Sequence, residues 1–66
     1  MSNEYKDWLY DAAQDYLLEN ELLNKINYVS PQVNGFFIDG EGDYRQFKTY
    51  FVWLDGIKGW NYRAIE

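Results

Sequence analysis

The chain has 66 residues and a formal net charge of −5, with 47% hydrophobic and 21% aromatic residues, one proline, no cysteine and no histidine. This length suits a single domain over residues 1–66 with one small core, and the apolar content is too high for a disordered chain. Without cysteine or histidine there are no disulfide staples or thiolate metal sites, and the usual general base and thiol nucleophile are missing.

Chains of this size bury only about 60% of the surface that the unfolded form exposes, so stability is expected to be modest. Three Trp, seven Tyr and four Phe supply the bulk of the core in place of disulfides. Charge is unevenly spread. Residues 1–23 carry six acids (Glu4, Asp7, Asp11, Asp15, Glu19 and Glu21) against Lys6 alone, and the remainder is neutral. Direct binding of nucleic-acid phosphates is therefore disfavoured. The sequence shows no secretory signal, no apolar run near transmembrane length and no lipidation motif, so a cytoplasmic protein without membrane contact is expected.

In chain order, residues 3–19 read as an amphipathic helix with Ser2 or Asn3 as N-cap, and Glu4 and Asp7 suit the positive end of its dipole. Tyr5, Leu9, Ala12, Ala13 and Tyr16 share one face, with Leu17 at its edge. Asn20 would land on that face if the helix ran straight on. A break near Glu19–Asn20 is thus expected, followed by a short second helical turn carrying Leu22, Leu23 and Ile26. Pro31 ends the helical region by holding Ser30 extended.

The remainder reads as a three-stranded antiparallel meander, giving an α+β fold with the helix packed on the sheet. The strands are expected at about Val33–Asp39, Tyr44–Leu54 and Ile57–Ile65, with a glycine-rich turn at Gly40–Asp43 and a two-residue turn at Asp55–Gly56. That second turn would set Leu54 opposite Ile57; in the same register the pairs Phe51–Trp60, Thr49–Tyr62 and Phe47–Ala64 make an aromatic face turned towards the helix together with Phe36 and Ile38. The other face, with Phe37, Tyr50, Val52, Leu54, Ile57 and Ile65 interrupted by Lys48 and Arg63, would stay open to solvent or to a partner.

No constellation points to catalysis. Ser2 and Ser30 are the only serines and neither lies in a nucleophile-elbow context. Exposed helix carboxylates lack the buried apolar setting that a carboxylic acid needs near neutral pH. The acids of Asp39–Asp43 alternate as in a calcium loop, but Tyr44 stands where the loop needs glycine and Tyr50 where it needs glutamate, so a hairpin turn is the expectation. The aromatic string Tyr44, Phe47, Tyr50, Phe51, Trp53, Trp60 and Tyr62 could stack bases, with Lys48, Arg63, Arg45 and Lys58 as nearby cations, but core packing is the simpler use. No cofactor and no metal are expected.

The acids of the helix form the most informative pattern. Glu4, Asp7, Asp11, Asp15 and Glu19 fall within roughly a third of its circumference at 100° per residue, although each like-charged i,i+4 pair costs about 0.2–0.5 kcal/mol. A solvated face needs no partner. A surface built to meet a basic one would also have this pattern, and Trp8 beside the stripe supplies an anchor of the type enriched at binding hot spots. In size, acidity, aromatic core and lack of catalytic motifs, the chain resembles the small inhibitors that bacteriophages and mobile elements direct at host nucleic-acid enzymes: anti-CRISPR, anti-restriction and uracil-DNA-glycosylase inhibitor proteins. No motif is shared with them, so no residue role carries over. The resemblance implies a protein-binding inhibitor in the host-cell cytoplasm that acts on a nucleic-acid-binding protein; the stripe itself then points to Glu4, Asp7, Trp8, Asp11, Asp15 and Glu19 as the contact with a basic surface, anchored by Trp8 or Tyr10. The alternative is a structural module that self-associates, as a homodimer, through Phe37, Tyr50, Val52, Leu54 and Ile57.

Overall fold

The computed structural model describes residues 2–65, with side chains described for residues 9–65. Helix α1 (Ser2–Glu19) precedes four strands, β1 (Lys25–Pro31), β2 (Phe36–Glu41), β3 (Phe47–Asp55) and β4 (Gly59–Ile65). They form one antiparallel sheet in the order β1-β2-β3-β4. The α+β class and the meander are as expected, with one more strand than the sequence suggested. No helix among the described residues is long and apolar enough to cross a membrane.

One face of the helix closes the core. Ala13 and Leu17 are fully buried against Leu23, Val29, Phe36, Ile38, Tyr50 and Val52, and Leu9 and Tyr16 pack at the margin. Leu17 is thus central to the contact, not at its edge. The helix backbone runs nearest β1 and β2. Tyr16 extends the cover towards β4, its ring 6.4 Å from Trp60 and 6.2 Å from Tyr62.

The helix stops at Glu19 by a complete Schellman cap. The N–H of Glu21 donates to the carbonyl of Leu18 and that of Leu22 to the carbonyl of Leu17, and Leu22 packs on the core beside the last turn. Glu21 takes the left-handed conformation that this cap requires, with φ 58°. An L-residue with a Cβ pays roughly 1–2 kcal/mol there, so Glu21→Gly is expected to raise stability by about 0.5–1 kcal/mol in urea unfolding, after glycine's own entropy cost.

The cap sends the chain directly into β1, where the sequence suggested a second helical turn. Ile26 lies opposite Gly40 and Tyr28 opposite Asp39, so Asn27 is an extra residue in a β-bulge. The bulge puts Ile26 and Val29 on the same, inner side although they are three apart. With Leu22 and Leu23 upstream, that spacing imitates a helical stripe. Val33 lies in the β1–β2 loop outside any strand, and the second strand begins at Phe36.

The β3–β4 hairpin corrects the expected register. Asp55 pairs with Gly59 and Leu54 with Trp60, so the loop is the three residues Gly56–Ile57–Lys58. The Asp55 carboxylate accepts the N–H of Ile57 at 2.8 Å, and Gly59 supplies the left-handed φ of 86° that closes the turn. Relative to a two-residue turn, the pairing moves by an odd number of residues, which exchanges the two faces of β3 relative to β4. Trp60, Tyr62 and Ala64 keep the helix side expected of them, but their partners there are Leu54, Val52 and Tyr50, while Phe51 pairs with Arg63. Phe47, Thr49 and Phe51, expected against the helix, lie on the open side; Tyr50 and Val52, expected open, are buried at 6% and 0% exposure.

Candidate functional site

Helix α1 carries Asp11, Asp15 and Glu19 away from its core face. Asp11, Asp15 and Glu19 are all exposed, and among the described residues none makes a side-chain hydrogen bond or an ion pair. Successive members stand about 6 Å apart along the axis, four residues at 1.5 Å each. The side chains of Glu4, Asp7 and Trp8 lie outside the described residues. Tyr10 borders the face and is steadied by an edge-on contact with Phe36, ring centres 6.1 Å apart.

The structure adds one residue that sequence reading passed over. Leu18 is 38% exposed, and at 100° per residue it falls roughly 20° from the direction of Asp11, on the side away from Asp15. Its position two turns below Asp11 was available from the spacing, but a leucine near a helix end reads as core by default. An exposed apolar side chain among carboxylates is the composition of a contact surface with a small dry centre.

The carboxylates of the Asp39–Asp43 stretch are engaged separately. Asp39 accepts the Thr49 hydroxyl at 2.6 Å, Glu41 lies 4.0 Å from Lys25 and accepts Asn27 at 3.4 Å, and Asp43 accepts Asn24 at 3.3 Å. They staple the β1–β2–β3 end of the sheet instead of converging on one point. A shallow cleft at the end of the β3–β4 hairpin is lined, among the described residues, by Phe47, Lys48, Thr49, Tyr50, Ala64 and Ile65.

The five residues expected to form a self-association face do not share one. Tyr50 and Val52 lie beneath the helix, Leu54 sits at the rim of that same side, and Ile57 is at the hairpin tip. Only Phe37 is on the open face. There it meets Phe51 at 4.8 Å between ring centres, and Phe51 meets Trp53 at 5.9 Å, nearly parallel. Arg63 lies opposite Phe51 and Asn61 opposite Trp53. Sequence reading missed this row because β3 is apolar on both sides from Tyr50 to Leu54.

No family model, no curated protein and no solved structure matches the chain. The functional reading therefore rests on its own geometry.

Proposed function

We propose that this chain is a non-enzymatic binding protein, an inhibitor that meets the basic surface of a nucleic-acid-binding host protein through the outer face of α1. It belongs in style with the antagonists that phages and mobile elements direct at host nucleic-acid enzymes, and it would act in the host cytoplasm. The observation that carries the reading is that Asp11, Asp15 and Glu19 stand exposed in one line, with no ion pair to any of them among the described residues. A face that served only for solubility would gain from alternating signs at i,i+4, whereas this one accepts repulsion at each step.

Carboxylates about 6 Å apart imitate one DNA strand coarsely, since its phosphates recur about every 3.4 Å. This spacing suffices to compete for a lysine- and arginine-lined groove without copying groove geometry. Leu18 and Tyr10 supply apolar contact along one side of the line of acids. Binding by such a surface depends on salt, chiefly through the association rate.

Wild type and the Asp11→Asn/Asp15→Asn variant, immobilised side by side and exposed to bacterial lysate, test this. Wild type is expected to retain a DNA- or RNA-handling protein that a salt step or added duplex DNA releases. The variant is expected to lose it while keeping its fold, with stability equal or higher by a few tenths of a kcal/mol. Equal retention by both proteins would sink the reading.

The second reading, a self-associating structural module, is favoured by the uncovered Phe37–Phe51–Trp53 row. Aromatic rings with a neighbouring arginine are the composition of interface centres.

A further inference from the structure

The two edges of the sheet are built differently. β1 is blunted at three points: Lys25 opens it, the bulge at Asn27 interrupts its hydrogen-bonding row, and Pro31 closes it without an N–H. These are the devices by which proteins prevent edge-to-edge pairing. β4 has none of them beyond the single charge of Arg63. Its seven residues, Gly59–Ile65, pair with β3 without a register shift, and they have a strand on one side only.

We propose that the free edge of β4 pairs antiparallel with β4 of a second copy, joining two sheets into one of eight strands. The inference does not depend on the acidic face of α1. The occupant follows from the strand's own sequence. A two-fold axis normal to the sheet keeps inner faces together, so only residues of equal parity can lie opposite one another. The one such register that uses all seven residues is centred on Tyr62. It sets Gly59 against the partner's Ile65, Trp60 against the partner's Ala64, Asn61 against the partner's Arg63, and Tyr62 against the partner's Tyr62.

Each of these pairs is compatible. The largest inner-face side chain meets the smallest, and Arg63 meets an amide instead of its own image. Sliding the register two residues one way places Arg63 opposite the partner's Arg63, a like-charge pair, and shortens the overlap. Sliding it the other way also loses pairs. The full register supplies about six to eight backbone hydrogen bonds across the dyad.

Net charge does not oppose the assembly. The excess acids are on α1, which lies over β1 and β2. Strands are about 4.8 Å apart, so the two helices would be roughly 30 Å apart, well beyond the Debye length of about 8 Å at physiological salt. The outermost strands of the joined sheet are the two blunted β1 edges, so pairing closes at the dimer and does not propagate.

Analytical ultracentrifugation from low micromolar to millimolar concentration tests the inference on three proteins. Wild type is expected to show a monomer–dimer equilibrium. Asn61→Arg, which faces the partner's Arg63 twice per dimer, is expected to weaken dimerisation by about two- to thirtyfold, and Asn61→Asp to strengthen it by a similar factor. Circular dichroism confirms that both variants fold, and their opposite signs separate pairing from a general loss of structure. As a second readout, alternate β4 amides should exchange more slowly with solvent at high protein concentration, while β1 amides show no such dependence. A strict monomer over the whole range overturns the proposal. So does a dimer that ignores both Asn61 variants and is instead abolished by Trp53→Ser, which would place the contact on the open face.

Discussion

Leu17→Ala is expected to remove about 2–5 kcal/mol of stability, from a domain whose total at roughly 0.05–0.15 kcal/mol per residue is only about 3–10 kcal/mol. Leu17 is fully buried where α1 meets the sheet. Its carbonyl also accepts the N–H groups of Leu22 and Leu23 at the Schellman cap. Alanine keeps those backbone bonds, so the loss reports packing alone. Leu17→Met, which conserves volume, should cost less than about 1.5 kcal/mol, and Leu18→Ala, one residue along but 38% exposed, should cost less again. Urea unfolding followed by tryptophan fluorescence gives all three. A loss below about 1 kcal/mol for Leu17→Ala would show that the helix does not close the core in the way described.

Gly40→Ala is expected to be nearly as damaging for a different reason. Alanine in place of glycine inside a strand ordinarily gains about 0.5–1 kcal/mol through the unfolded chain. At Gly40, however, a Cβ would overlap the Lys25 carbonyl oxygen and come within 2.7 Å of the Leu23 side chain. Leu23 is 1% exposed and cannot swing away, and the carbonyl belongs to the neighbouring strand. Overpacking of this kind costs about 1–3 kcal/mol, which at roughly 4–8 °C per kcal/mol is a fall in Tm of about 5–20 °C. Gly56→Ala is the contrast: a Cβ at Gly56 meets nothing within 4 Å, and Tm should stay level or rise slightly. Equal behaviour of the two alanine variants in a thermal melt would contradict the close approach of β1 to Gly40.

The helix, its end at Glu19 and its exposed carboxylates were legible because a 3.6-residue period persists across several turns of polar and apolar residues. β1 was hidden by its own bulge. Ile26 and Val29, both turned inward, are spaced as on a helix, and strict alternation would have disclosed the strand. The face of β3 could not be read at all, since Tyr50, Phe51, Val52, Trp53 and Leu54 are apolar on either side. In such a strand, tertiary pairing decides which rings are buried. The β4 error came from loop chemistry: Asp55–Gly56 is a strong two-residue turn signal, but Gly59 offered a second left-handed position, and the longer loop won. Among the candidate contact residues, the exposure of Asp11, Asp15 and Glu19 follows from the period, whereas that of Leu18 required the structure.

The two-sided apolarity of β3 also bears on what happens when this protein unfolds. Within the native sheet the strand is shielded by a neighbour on each side, and its rings cover one another. Released, Tyr50–Leu54 becomes an uncharged β-forming segment without proline, the composition that nucleates cross-β aggregates. Lys48 and Asp55 stand just outside it as gatekeepers of opposite sign. Unfolding therefore uncovers a segment that the native sheet conceals, and aggregation on heating is expected to begin there.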